Sequence, residues 1–156
     1  MIMAAQKQEK SVCTWWDYAQ VAKKLGFQRV TVINRNNCEV ITKTGPAPNY
    51  PCMWQDGETV INELEELDSN WMKKSKQIFC FYGMKFEIVD RDIYGGKWIQ
   101  CRNEQEFLCA FQFKEIWFVV YHKNKGGKDA KFKTPKEAFT KINKLLDPIN
   151  SWIHMN

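Results

Sequence analysis

The chain has 156 residues, of which 44% are hydrophobic and 14% aromatic, and its formal net charge is +5. This length and composition predict one domain with a substantial core. The mild positive charge favours an acidic protein or an anionic lipid surface as a partner. Because the lysines are spread along the chain and do not cluster beside aromatic residues, nucleic acid is not expected as a partner. No segment approaches the ~20 apolar residues of a transmembrane helix.

The thiols and histidines give no sign of catalysis. Residues 1–10 lack the apolar run of a secretory signal, so we expect a cytoplasmic protein with reduced cysteines. No Cys-x-x-Cys pair occurs, and neither histidine belongs to a motif with a nucleophile or a metal site. The sequence therefore predicts no enzyme, no cofactor and no metal. The six cysteines are Cys13, Cys38, Cys52, Cys80, Cys101 and Cys109.

The N-terminal part of the chain predicts a loose segment followed by a helix. Residues 1–13 are polar and are expected to be a flexible extension, with a single domain over residues 14–156. Thr14 is a typical N-cap for a helix over about Trp15–Leu25. Gly26 is a typical helix stop.

Two strands and a second helix are expected next. Arg29–Ile33 and Cys38–Thr42 predict a hairpin with an Asn-rich turn. The proline-rich segment Gly45–Pro51 predicts a surface loop. The helical spacing of the apolar residues that follow predicts an amphipathic helix over about 57–67, capped by Asp56, with its glutamates in water.

The segment Phe79–Asp92 is the most informative stretch, because it predicts two alternating strands around a one-glycine turn. Alternation places one set of side chains in a core and the other set outside. The inward set is Phe79, Phe81, Phe86 and Ile88; the outward set is Lys85, Glu87 and Val89, with Arg91 following. Such a row of fixed charges is a plausible protein-docking surface.

Three further strands and a C-terminal helix complete the chain. The strands are expected at 97–102, 107–113 and 115–122, and the last is apolar enough to be buried on both faces. Thr134 is expected to cap a helix that runs to about Leu146, where Pro148 should break it. The predicted fold is α+β: a central antiparallel sheet, N- and C-terminal helices packed on one face, and a further helix on the other side.

Several of these patterns resemble profilins, the small eukaryotic proteins that bind monomeric actin and proline-rich peptides. The matches are Trp15-x-x-Tyr18, the first hairpin, the run from Gly83 to Arg91, and the buried strand that ends near Tyr121 before a Gly-Gly loop and the last helix. The resemblance implies an actin-monomer-binding protein that regulates filament assembly and is cytoplasmic, cytoskeleton-associated and monomeric.

The resemblance also implies the positions of the binding residues. The actin-binding residues would be Lys85, Glu87, Arg91, Arg102, Gly127, Lys136 and Glu137. Residues for proline-rich peptides would be Trp15, Tyr18 and Trp152. Apart from the resemblance, the lysines of the last loop form a basic cluster that could weakly bind anionic lipid headgroups such as phosphoinositides. The residues of this weak site are Lys125, Lys128 and Lys131.

Simpler interpretations of the same residues remain open. Trp15 and Tyr18 could merely seal a helix onto the sheet, the charged strand could be an ordinary solvated face, and the lysines could belong to an ordinary soluble loop. Two other protein classes stay open. One is a roadblock- or longin-like scaffold of trafficking complexes, which has a similar order of helices and strands. The other is a small hydrolase or lipid carrier, which should have a deep apolar pocket.

Overall fold

The computed structural model describes residues 14–45, 53–64, 67, 78–92, 97–104, 106–123 and 132–155. Its core element is a seven-stranded antiparallel sheet with strand order β2-β1-β9-β8-β7-β6-β5, and β3 pairs with β4 in a separate two-stranded hairpin. The elements are α1 (Trp15–Leu25), β1 (Arg29–Asn34), β2 (Val40–Thr44), β3 (Met53–Asp56), β4 (Thr59–Asn62), β5 (Ile78–Phe81), β6 (Met84–Arg91), β7 (Trp98–Asn103), β8 (Glu106–Gln112), β9 (Ile116–Lys123) and α2 (Pro135–Met155). The predicted N-terminal extension and most of the proline-rich loop lie outside the described residues.

Both long helices cover the same face of the sheet. Helix α1 packs on β1 and β2, helix α2 packs on β7 and β8, and the two helices contact each other. This arrangement confirms the predicted α+β fold with its terminal helices on one face. The core on this helix-covered face includes Ala19, Ala22, Val30, Val32, Cys109, Phe111, Phe118, Val120, Ala138, Ile142 and Leu146.

A second core lies on the opposite face of the sheet. Leu64 and Leu67, which have helical conformation, pack there against residues of six strands. Strand β9 contributes to both cores, and only its last residue is exposed, as predicted for a strand buried on two faces. The sheet residues of this second core are Ile33, Phe81, Phe86, Ile99, Cys101, Leu108, Ala110, Trp117, Val119 and Tyr121.

Local signals correctly predicted the start and end of α1. Thr14 accepts a hydrogen bond from the Asp17 amide (3.3 Å), while the Asp17 carboxylate accepts one from the Thr14 amide (2.8 Å). The two bonds form a capping box that satisfies amides left free at a helix start. Gly26 ends the helix with φ 124°, in a region that favours glycine.

The turn between β5 and β6 is built from two residues with positive φ. Tyr82 has φ 55° and Gly83 has φ 72°. Positive φ at both central positions is the geometry of the hairpin turn that matches strand twist. The sequence predicted a turn at the glycine, but the left-handed conformation of Tyr82 has no local sequence signal. It is stabilised by burial of its ring and by a hydrogen bond of 2.8 Å between the Tyr82 and Thr31 hydroxyls.

The helix predicted over 57–67 is wrong in its first half. Asp56 ends β3, Gly57 turns with φ 63°, and Thr59–Asn62 forms β4. Asp-Gly between two strand-forming runs is a strong hairpin signal, and the β-branched run Thr-Val-Ile favours a strand. The helical spacing of the apolar residues competed with that signal. Glu63, expected in water, is only 3% exposed.

The predicted break at Pro148 is also wrong, because α2 continues to Met155 with Pro148 inside it. A proline removes the amide that would bond to the carbonyl four residues earlier, here that of Lys144. Lys144 and Pro148 are both exposed. Water can therefore satisfy the released carbonyl, which makes the proline tolerable.

Candidate protein-docking surface

Strand β6 alternates between a buried and an exposed row, as its sequence predicts. Phe86 is buried, whereas Lys85 and Glu87 on either side of it are exposed. In the neighbouring strand β7, Arg102 is exposed and lies directly opposite Glu87. We call Lys85, Glu87 and Arg102 the charged strip. It lies on the helix-covered face of the sheet, beyond the area that the helices cover.

Two of the strip's three charges pair with each other. Arg102 Nε donates to Glu87 Oε1 at 3.2 Å, and the two side chains are 56% and 58% exposed. An ion pair so exposed contributes little to folding stability. Its two groups can instead orient a docking partner. Lys85 carries the remaining positive charge of the strip.

The strip borders a depression of about 400 Å³. Asn103 closes one side of it, because its Nδ2 donates to the backbone carbonyl of Lys85 at 2.9 Å. Ile78 adds an apolar contact surface, 48% exposed, and it pairs with Glu87 across the β5–β6 ladder. Sequence reasoning missed Ile78, although its place in the hairpin register could have revealed it. The lining residues are Ile78, Lys85, Phe86, Glu87, Arg102, Asn103 and Glu104.

Arg91, predicted to follow on the same face, is not part of this strip. The register between β6 and β7 shifts between Ile88 and Asp90, so Arg91 pairs with Ile99. Ile99 belongs to the core on the opposite face. Burial raises the pKa of the Cys101 thiol in that core, and the charge of Arg91 opposes the shift. A bulge of this kind reverses the side-chain alternation beyond it.

The start of α2 lies at the same end of the helix-covered face as Arg102. A chain of neighbouring residues connects the two. Arg102 lies opposite Phe107 in the β7–β8 ladder, and the centre of the Phe107 ring is 6.1 Å from that of His122. The centre of the His122 ring is in turn 4.7 Å from that of Phe132, which lies just before the helix. Lys136 and Glu137 are exposed in the first turn. Thr134 caps this turn, accepting from the Glu137 amide at 3.1 Å. Gly127, Lys125, Lys128 and Lys131 lie outside the described residues.

The predicted aromatic site on α1 is half-buried. The rings of Trp15 and Tyr18 are 5.9 Å apart and inclined at 51°. Trp15 also contacts Phe113 at 5.2 Å and Phe118 at 5.9 Å, so it helps to seal α1 onto the sheet. Trp152 lies in α2, but its side chain is outside the described residues.

A buried carboxylate joins the β3–β4 hairpin to the turn between β5 and β6. Glu63 Oε2 accepts hydrogen bonds from Trp54 Nε1 and, at 2.9 Å, from the Gly83 amide. Burial raises the pKa of Glu63, and the hydrogen bonds from Trp54, Gly83 and Tyr82 oppose that shift. Lys85 Nζ lies 6.0 Å from the centre of the Trp54 ring. No sequence pattern indicated these contacts.

His122 is buried in an aromatic cluster at the end of β9. Its Nδ1 donates to the Gly26 carbonyl at 3.1 Å. Its Nε2 is buried and has no hydrogen-bond partner within the described part of the chain. Burial lowers the pKa of His122, and the bond to Gly26 opposes that shift. The geometry fits a neutral histidine that closes the end of α1 onto the sheet.

The described residues include neither a metal-binding cluster nor a helix that could span a membrane. Among those residues, no group of three or more His, Cys, Asp or Glu side chains is placed to hold a metal ion. Neither α1 nor the described part of α2 has the length and apolar character needed to cross a bilayer. Cys101 and Cys109 are buried free thiols, and burial raises the pKa of Cys109 to about 12.

Comparison with known proteins shows a likeness in structure without one in sequence. No protein-family model and no curated protein matches the chain. Solved structures of profilins do match. Acanthamoeba castellanii profilin IA is similar with a TM-score of 0.63 and 12% identity over 89% of this chain and 98% of its own.

Profilins from two organisms give the same result. Profilin II of Acanthamoeba castellanii matches with a TM-score of 0.62 and 11% identity, over 89% of this chain and 98% of that one. The profilin of Schizosaccharomyces pombe matches with a TM-score of 0.57 and 10% identity, over 89% and 95% of the two chains. Together with the curled antiparallel sheet and its paired terminal helices, these matches show that the chain has the profilin fold.

Proposed function

We propose that this chain binds monomeric actin and thereby regulates filament assembly. The observation that carries the proposal is the position of the charged strip. It is exposed on the helix-covered face of a profilin fold, at the same end of that face as the start of α2. A stoichiometric binder of this kind needs no cofactor and acts as a monomer. It would be cytoplasmic and associated with the cytoskeleton.

The chemistry of the surface supports a protein partner. Exposed Ile78 supplies an apolar contact next to charged groups, a mixture typical of interface patches with a polar rim. The net charge of +5 would attract an acidic partner over long range. Charges at the edge of such a contact mainly set its orientation and association rate. Lys136 and Glu137 extend the proposed contact onto α2.

A pyrene-actin assembly assay tests the proposal. Wild type should slow assembly in proportion to its concentration, and the double variant Lys85→Glu, Arg102→Glu should lose most of this effect. The matched control is Lys23→Glu, Lys24→Glu, which changes the charge equally at two exposed residues of α1. The proposal fails if wild type has no effect, or if the strip variant and the control behave alike.

Binding of proline-rich peptides is a second candidate function. It is favoured by the adjacent half-exposed rings of Trp15 and Tyr18, because a groove of aromatic rings is the usual receptor for a proline helix. An oligoproline titration followed by tryptophan fluorescence would test it. Tyr18→Ala should weaken binding, whereas Trp16→Ala, on the exposed side of the same helix, should not. If wild type and Tyr18→Ala bound oligoproline with equal affinity, Trp15 and Tyr18 would serve only to pack α1 onto the sheet.

Weak binding of anionic lipid headgroups by Lys125, Lys128 and Lys131 stays a prediction from the sequence. The scaffold alternative is not favoured, since the matched structures named above are profilins. A hydrolase or lipid carrier gains no support from the depression at the charged strip, because five of its seven lining residues are charged or polar.

A further inference from the structure

The β3–β4 hairpin is held by a buried polar contact against the turn that leads into β6, the strand that carries Lys85. Glu63, directly after β4, accepts from Trp54 in β3 and from Gly83 in the β5–β6 turn. Glu63 is 3% exposed, and its Oε1 has no partner among the described residues. A buried carboxylate with few partners is costly unless those it has are well placed. The contact therefore favours one position of the hairpin relative to β6.

This contact also determines where the Trp54 ring lies. The indole Nε1 is its only hydrogen-bond donor, and Glu63 engages it. With that edge of the ring held, the ring centre lies 6.0 Å from the Lys85 ammonium. A lysine at this distance is attracted by the electrons of the ring face.

Lys85 is thus restrained at two points. Its carbonyl accepts from Asn103 Nδ2 at 2.9 Å, which ties its backbone to β7. Its ammonium lies beside Trp54. A long exposed lysine normally loses considerable rotamer entropy when a partner immobilises it. A ring that already restrains the ammonium reduces this loss.

We propose that Trp54 is a positioning residue of the docking surface, which holds the Lys85 ammonium ready for a carboxylate group of the partner. The inference rests on the proposed function, because it assigns Trp54 a part in the same contact. Trp54 acts through Lys85 and needs no contact with the partner. Glu63 supports it by holding the indole in place.

A double-mutant cycle measured by calorimetry against monomeric actin tests this inference. The variants are Trp54→Leu, Lys85→Met and both together. We expect Trp54→Leu to weaken binding about three-fold, the low end of what immobilising one long side chain costs on binding. In the background of Lys85→Met, the same change should have no effect. Trp16→Leu is the matched control, since Trp16 is an exposed tryptophan (54%) on α1.

The outcomes separate the two proposals. If wild type does not bind actin, the proposed function fails and this inference with it. Two other outcomes would overturn only the positioning role. In the first, wild type binds actin and Lys85→Met does not weaken that binding. In the second, Trp54→Leu raises the dissociation constant by the same factor with and without Lys85→Met. Thermal unfolding of Trp54→Leu shows whether the variant keeps its fold.

A measurement on wild type alone covers the case in which Trp54→Leu unfolds. Proton NMR of the Lys85 Cε methylene reports its distance from an aromatic ring through the ring-current shift. We expect these protons upfield of those of Lys23 and Lys24. Shifts equal to those of the two α1 lysines would overturn the inference.

Discussion

Strands β9 and β6 each have eight residues but opposite exposure. In β9 every residue except the last is buried, whereas in β6 only Phe86 is buried. The difference follows from position: β9 lies between β1 and β8 with a core on each face, and β6 lies next to the short edge strand β5. One strand stabilises the domain on both faces. The other is free to present one row of side chains to a partner.

The largest expected effect is the loss of a large side chain from β9. Phe118 is fully buried in the helix-covered core, where it contacts Trp15. We expect Phe118→Ala to lower the free energy of unfolding by about 3–5 kcal/mol, from lost transfer energy and the cavity that remains. Urea denaturation of wild type and of Phe118→Ala measures this difference. A loss below about 1 kcal/mol would mean that β9 is not the stabilising strand.

Removal of the inward side chain of β6 should cost less. Ile88 is half-buried against the core opposite the helices. Because part of its surface already meets water, we expect Ile88→Ala to cost about 2 kcal/mol, the low end for such substitutions. The same urea experiment checks it. A cost equal to that of Phe118→Ala would remove the proposed difference between the two strands.

The free energy of unfolding should change with pH because His122, in β9, is buried. The folded state lowers the pKa of His122 below its ordinary value of 6.5, so the unfolded chain binds a proton first as the pH falls. The stabilising contribution is therefore complete above pH 6.5 and is lost as the pH falls through the lowered pKa. Denaturant midpoints between pH 4 and pH 8, at about one-unit steps, measure this dependence.

A histidine variant separates this effect from acid unfolding in general. His122→Gln should flatten the dependence just below pH 6.5. If the variant retained the wild-type profile, protonation of His122 would not be the cause.

The smallest expected effect on stability is that of the charged strip. Lys85 is exposed, and its ammonium lies 6.0 Å from the centre of the Trp54 ring. We expect Lys85→Glu to change the free energy of unfolding by less than about 1 kcal/mol. The variant should nevertheless weaken actin binding. A change comparable to that of Ile88→Ala would show that β6 has a structural role on its outer face as well.

Much of the fold could be predicted because its signals are local. The capping box at Thr14, the glycine at the end of α1 and the alternation in β6 each depend on a few neighbouring residues. The apolar run of β9 likewise identifies a strand with two covered faces. The same alternation also predicted that Lys85 and Glu87 would be exposed.

The incorrect predictions all involve competition between local patterns or a contact distant in sequence. Residues 57–67 satisfy a helical spacing, yet Asp-Gly and the β-branched run after it favour a hairpin. Pro148 is tolerated in α2 because the carbonyl it releases lies on an exposed side. Arg91 changes face because a bulge interrupts the ladder between β6 and β7, and alternation alone does not reveal a bulge.

The sequence by itself determined which segments form strands around the central core and which row of β6 faces water, because side-chain alternation and apolar content act within each segment. Only the tertiary structure decided that Arg102 would meet Glu87, that Ile78 would join them, and that Trp54 and Glu63 would lie beside Lys85. The physical reason is that strand register and sheet curvature bring these residues together only after the chain has folded.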